Sequence, residues 1–561
     1  MKINTSLTTD QVTVLKKTWQ YRETRCAFLP PYQPRFEKIS LYLDNINYQP
    51  EKAWKFNALN SDVTMEEFEV TGFHEQLQWT PVPVIGPHRV AYVDQDVVFE
   101  AQSYGRYNAA VATGAQRWWS GLKGQTYTAT ASGTSTCTIS FALPGLYGVT
   151  YECWADDQTG EERHSVANRW VRVLSATDAD NVDVCPAVTI DSISGSIDQG
   201  GWEASVTLGY VDETLDIEDH AGVLVFGSDQ YGDYDAEKAR EVLTAQTVET
   251  WHPTGDQSQP VYFFGYIVAG SIHRDIETGS VRFTIRTPEY FLQQIMTMYR
   301  DYWVDPDKGT GFCLPKLQAQ DVIHHLLCDK SRTQSDPVQV CNFAEWHDIH
   351  LNQLVASDWP AHQNILYRCT INEGMIWNGL QDLQNNDYLV MYCDKLGGLH
   401  VDPDLTCRPY EYWHDIADPT SGLLKAKPLL TMDNDLILGV DINQDVPRRV
   451  KLVKINATTS ADAQLEAERD AGFYQGAWQI VDGILADNQL WLDTMADALL
   501  SKGNGRIRLS ITTGLNNALD LNDIVLIAHH SDPHNRLIGR SGHWILGDTT
   551  YSELGSTTKL G

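Results

Sequence analysis

Basic residues are scarce in this chain: 42 Lys and Arg stand against 74 Asp and Glu, a formal charge of −32 over 561 residues. A protein that grips duplex nucleic acid needs a basic footprint, so specific nucleic-acid binding is not expected. An acidic surface also repels anionic membrane. Cysteine is thinly spread, ten residues without one Cys-x-x-Cys pair. That argues against a zinc ribbon and a dense disulfide scaffold. Cys137 and Cys153 share one β-rich stretch and are able to pair, although a buried free thiol is the commoner state. No apolar run reaches the length of a membrane-spanning helix. The opening MKINTSLTTDQVTVLKK lacks the apolar core of a secretory signal. A soluble protein made in a cytoplasm is the expectation. Catalytic signatures are missing as well: there is no Gly-x-Ser-x-Gly elbow, phosphate loop, His-Glu-x-x-His or Gly-x-Gly-x-x-Gly. Carboxylates are too numerous for a glycosidase pair to stand out. No catalytic residue and no cofactor is expected.

What is present favours β structure. Hydrophobic residues make up 42%, with 17 Trp and 25 Tyr, enough for several cores and large β surfaces. The length implies roughly three to five domains. Residues 1–95, broken by LPPYQP and TPVPVIGP, read as a β-rich arm or small domain. Residues 96–176 contain VVFEAQSYG, TYTATASG, STCTISFAL, YGVTYECWAD and RWVRVL, short strands at sandwich spacing. Val149, Tyr151 and Cys153 alternate inward there, with Trp118 or Trp119 filling the core. In residues 177–300, Trp202, Ala204, Val206 and Leu208 share one strand face, as do Val281, Phe283 and Ile285. Half-buried antiparallel strands of a small barrel are expected. Residues 301–429 form an α+β middle. Its first helix carries a Val322, Ile323, Leu326, Leu327 stripe. Its second unit, Met375 to Asp404, reads helix, strand, Gly-Gly turn and strand, with Ile376, Leu380 and Leu383 buried and Trp377 beside them. Residues 430–561 supply a second barrel-like strand set and an amphipathic helix bearing Leu485, Trp491, Met495 and Leu499. The fold class is therefore mainly β with an α+β middle: a sandwich, two small antiparallel barrels and a connecting domain.

Three clusters invite a metal reading. Asp178, Asp180 and Asp183 could hold calcium, but they lack the EF-hand glycine and closing glutamate, so a linker is favoured. His529, His530, Asp532 and His534 read as a solvated hairpin loop. His347, Asp348 and His350 near Cys341 match no zinc spacing.

FALPGLYGVTYECWAD, residues 141–156, resembles a strand of immunoglobulin-like modules of the polycystic-kidney-disease type. In that family such modules are spacers or carbohydrate binders, which implies a spacer or a contact to host-surface glycan. Five further motifs occur in order. They are Gly201 to Leu208 with Trp202; Phe263-Phe264-Gly265-Tyr266-Ile267; Asp321 to Leu327; Met375 to Asp404 with Ile376, Trp377, Gly397 and Gly398; and Leu519 to Val525 with Asp520 and Asp523, followed by Trp544 to Gly547. Together, over roughly Asp191 to Leu554, they resemble hub proteins of phage tail tips and baseplates. Asn522 stands where that family usually has glycine. The resemblance implies two barrels per chain and three chains around an axis. It also implies a virion location and contacts to the distal tail or tube protein, the tape measure, and a fibre or spike. An acidic lumen would keep DNA from adhering. An extracellular carbohydrate-binding adhesin and a tail-associated cell-wall hydrolase are the rival expectations.

Overall fold

A computed structural model describes residues 24–34, 74–76, 79–105, 111–112, 114–156, 162–175, 184–185, 188–209, 217–227, 255–259, 261–297, 300–303, 311–313, 319–328, 341–351, 368–372, 374–387, 389–403, 430–432, 437–443, 450–459, 463–472, 476–486, 488–505, 508–513, 520–521, 524–528, 536–546 and 556–560. The chain is mainly β and multidomain; among the described residues the helices lie from Glu289 onward. Among the described residues three hydrophobic cores can be followed, apart from the buried row of the large sheet.

The largest sheet has fourteen strands. Alternation sets its registers. Trp202, Ala204, Val206 and Leu208 are buried while Glu203 faces out. They lie beside Val281, Phe283 and Ile285 through the pairs Ala204–Ile285, Val206–Phe283 and Leu208–Val281. A one-residue slip would turn this row to solvent. The neighbouring strands Ala221–Phe226 and Val261–Ile267 are buried along almost their whole length; such continuous apolar runs belong to strands covered on both faces. A side chain at Gly265 would place its Cβ 2.7 Å from the Arg286 carbonyl oxygen, so glycine is what admits the close strand approach. The N-terminal strand Arg25–Pro31 lies inside this sheet, between Val184–Cys185 and Ala221–Phe226.

Of the strands expected to build a second barrel, Ile437–Asn443, Arg508–Thr513, Arg536–Leu546 and Ser556–Leu560 are hydrogen-bonded to this same sheet, while Val450–Thr458 belongs to a separate three-stranded sheet. Val188–Ser196 pairs with Arg536–Leu546, Trp544 standing opposite Gly195. Ser556–Leu560, Arg508–Thr513 and Ile437–Asn443 extend it outward. Both strand sets thus share one continuous ladder.

Residues 89–174 form a five-stranded and a two-stranded sheet around a common core. The tryptophan filling it is Trp118, which donates its indole N–H to the Thr134 carbonyl at 2.9 Å and packs on Tyr151 with ring centroids 4.5 Å apart. Val149, Tyr151 and Cys153 point inward beside it. Cys137 and Cys153 are both buried and form no disulfide with each other. The strand Gln116–Leu122, which pairs with Gly145–Asp156, has too little apolar alternation to be read from sequence.

The helix Ala319–Cys328 differs from a one-sided stripe: every residue in it is buried. Its polar side is roofed by Trp79 and Thr80. The Trp79 indole donates to Asp321 at 2.8 Å and stacks on His324 at 4.0 Å, and His324 Nε2 lies 2.8 Å from the Thr80 carbonyl. A second helix, Ile376–Asp387, buries Ile376, Leu380 and Leu383 and leads into the hairpin Leu389–Cys393 and Leu399–Pro403. Within the turn only Gly397 has positive φ, +90°. The sharp bend comes equally from Asp394, whose Oδ1 accepts the amides of Leu396 and Gly398.

After this comes a self-contained unit, the sheet Gln464–Asp470, Val450–Thr458 and Ala477–Leu485 under the helix Gln489–Gly505. Trp491, Met495 and Leu499 are buried against Val453, Ile455 and Ile484. Leu485 is a correction: it ends the strand, and the helix begins four residues later, where Asn488 Oδ1 accepts the Trp491 amide at 3.3 Å.

Candidate functional site

Two buried polar joints fasten these units together. The first starts from Arg169, which alternates inward with Val171 and Val173 in the strand Glu162–Leu174 and so carries its guanidinium into the interior. There it donates to the Asp348 carboxylate, and through Nε to the Gly86 carbonyl at 2.6 Å. Asp348 also accepts the amides of Ile85 at 3.1 Å and Gly86 at 2.8 Å. Its own carbonyl accepts the Leu399 amide, tying the cluster to the hairpin. Arg169 is 2% and Asp348 4% exposed. At that depth an unpaired charge would be strongly unfavourable, whereas a pair with all its polar atoms engaged is tolerated. Burial pushes the Asp348 carboxyl up, while Arg169 and the two amides pull it back. Burial, and then the Arg169 charge, holds His88 and His347 well below the usual imidazole range. His350 is also lowered, by burial and then by His400. These rings stay neutral beside the guanidinium. Tyr104 adds a second tie, its hydroxyl donating to the Ile349 carbonyl at 2.6 Å and accepting the Leu351 amide at 3.0 Å.

The second joint lies under the hairpin. Trp202 donates its indole N–H to Asp520 Oδ1 at 2.7 Å. Asp520 Oδ2 accepts the Lys395 amide at 3.2 Å, and the Lys395 ammonium sits 5.3 Å from the Trp202 ring centroid. The Phe264 amide donates to the Lys395 carbonyl and the Cys393 amide to the Gly200 carbonyl, so the hairpin is bonded edgewise to the large sheet. Two glycines permit the contact. A Cβ on Gly397 would stand 2.7 Å from the Phe264 ring, and one on Gly200, at φ +80°, would overlap the Trp377 indole. Phe264 links the joints, its ring 4.6 Å from that of His88.

The residues singled out in the sequence therefore fall into place unevenly. Trp202, Phe264, Trp377, Gly397 and Asp520 meet around the hairpin. Ile376 is buried in the helix before it. Gly398 packs against His350 and Asp394, and Gly265 serves the strand bend. Trp544 pairs in the ladder with Gly195, whose other ladder partner is Trp202. Asp523, Asp178, Asp180 and Asp183, and the run from His529 to His534, lie outside the described residues. His347, Asp348 and His350 belong to the first joint, where Asp348 is occupied by Arg169. Among the described residues no group of three or more His, Cys, Asp or Glu is placed to hold a metal ion, and no helix is long and apolar enough to cross a membrane. Sequence reading missed Arg169 and Lys395. For Arg169 the signal was there: an arginine in phase with Val171 and Val173 points into a core.

No protein-family model matches the chain, and no curated protein matches it in sequence. Two tail proteins are among the similar solved structures. The tail protein from Neisseria meningitidis MC58 aligns at 13% identity with a TM-score of 0.38, covering 67% of this chain and 95% of that one. The 43 kDa tail protein of prophage MuSo2 from Shewanella oneidensis aligns at 9% identity with a TM-score of 0.36, covering 66% of this chain and 93% of that one.

Proposed function

We propose that the chain is a structural component of a phage tail, a hub at the tail tip or baseplate. It works as a homotrimeric ring joining the distal tail or tube protein and the tape measure to a fibre or spike, and it opens for DNA passage. The observation that carries this reading is the convergence of sequence motifs far apart in the chain. The motif residues Trp202, Phe264, Trp377, Gly397 and Asp520 resemble hub positions in sequence, and they meet at one joint although Trp202 and Asp520 are separated by 318 positions. In this reading residues 177–300 and 430–561 are the two hub units, residues 301–429 set their spacing, and residues 96–176 are an immunoglobulin-like module beside residues 1–95.

Arg169, Asp348, Trp202 and Asp520 spend their polar atoms holding elements together, which fits a part that transmits force and position rather than one that makes bonds. The −32 charge of each chain, multiplied by three in a ring, would line the passage with like charge for DNA and so oppose adhesion. Exposed strand edges, a liability in a free monomer, become subunit contacts in a closed ring.

Disrupting the gene in the cell that produces the particles tests the role. The expected product is heads and unfinished tails lacking a tip by electron microscopy, with infectivity restored by the gene supplied in trans. Complete, infectious tails made without the chain would overturn the reading.

A further inference from the structure

Where the sandwich meets the large sheet and the middle, a cavity of about 190 Å³ opens between Pro31, Tyr32, Gln33, His88, Trp170, Tyr266 and Trp346. Its walls are mostly aromatic. Trp170 and Trp346 are half-buried, with ring centroids 5.5 Å apart, and Gln33 is exposed, so the cavity has a mouth. The Tyr32 hydroxyl donates to Asn342 at 2.8 Å and the Tyr266 hydroxyl lies 3.4 Å from His347 Nε2. Both phenols are thus turned toward protein partners.

His88 is the polar group that matters. It is 2% exposed, and its Nδ1 accepts the Trp170 amide at 2.9 Å. A neutral imidazole accepting at Nδ1 carries its proton on Nε2. That N–H makes no hydrogen bond among the described residues, and His88 lines the cavity. His88 Nε2 is not among the sealed, partnerless polar atoms, so an acceptor from solvent or a ligand can reach it from the cavity that His88 lines.

We propose that this cavity binds one pyranose ring of a neutral sugar. The volume is small for a drug-sized ligand and suits a single ring. No Lys, Arg, Asp or Glu lines it, and Arg169 and Arg89 stand behind His88, so a charged ligand gains no counter-ion and a cation is repelled. The C–H bonds of a pyranose face are weakly positive and lie well on the negative face of an indole. Its hydroxyls supply the acceptor for His88 Nε2–H and a partner for the Gln33 amide. The site is independent of the hub reading, since it concerns one chain.

The test is titration of the full chain with glucose, galactose and N-acetylglucosamine, followed by saturation-transfer NMR and tryptophan fluorescence. Saturable binding with a dissociation constant on the order of 1 mM is expected for at least one of them. Trp346→Ala should weaken it by about tenfold or more. Because that change could disturb the fold, Gln33→Ala is the second variant: it should keep the circular dichroism of the parent and weaken binding by about threefold. No saturable signal from any of the three sugars would overturn the proposal. So would binding that persists unchanged in a folded Gln33→Ala or Trp346→Ala protein.

Discussion

Replacing Asp348 by alanine is expected to destabilise the protein by about 3–5 kcal/mol, the range for stripping one partner from a buried ion pair. The reason is what remains. Arg169 keeps its charge at 2% exposure, and the amides of Ile85 and Gly86 lose their acceptor. The loss should appear locally before it appears globally, because a chain with several cores does not unfold in one step. Amide exchange at Ile85 and Gly86 should accelerate sharply, and the lowest-temperature unfolding transition should move down. The double variant Arg169→Met with Asp348→Leu should be damaged less than Asp348→Ala alone, since it leaves no orphan charge. Unchanged protection at Ile85 and Gly86 in Asp348→Ala would mean that the pair does not fasten the sandwich.

The second large effect concerns pH. Glu289 is fully buried where the strand Ser280–Arg286 passes into the helix Glu289–Leu292. Burial pushes its carboxyl up to about 8; Arg286, 3.4 Å away, and Thr287 pull it back only in part. The folded protein therefore holds this proton more tightly than the unfolded chain does. Its contribution to stability is complete below the ordinary value of 4.5 and is lost as pH rises through about 8. At about 1.4 kcal/mol per unit of displacement, the swing amounts to a few kcal/mol. Glu289→Gln, which mimics the neutral acid, should leave stability near that of the parent at about pH 5 and raise it by a few kcal/mol at about pH 9. Thermal denaturation of both proteins across that range reads the effect. Parallel curves would show that Glu289 holds its proton equally in the folded and unfolded chain, and so would contradict the upward push by burial.

The sequence made the local rules visible and hid the long-range pairings. Alternation in Gly201–Leu208 and Ser280–Arg286 placed every inward side chain of those strands. The Asp394 turn and its two glycines announced the hairpin, although just one of them needs positive φ. Trp202 and Asp520 were recognisable individually, yet nothing in either segment told that they touch. The same holds for Arg169 and Asp348, 179 positions apart. The helix Ala319–Cys328 looked one-sided because the partners of Asp321 and His324 lie more than 240 positions earlier. The merging of two strand sets into one sheet was equally silent, because an edge strand carries no mark of which edge it will meet.

The hub account turns on assembly, and the native mass of the purified chain, taken with negative-stain images of the same sample alone and with its neighbouring tail proteins, addresses that most directly. A mass of three chains and a ring of threefold or pseudo-sixfold outline, with the sandwich held against its body, is the predicted result. A dispersed, elongated monomer that never joins a ring would contradict it.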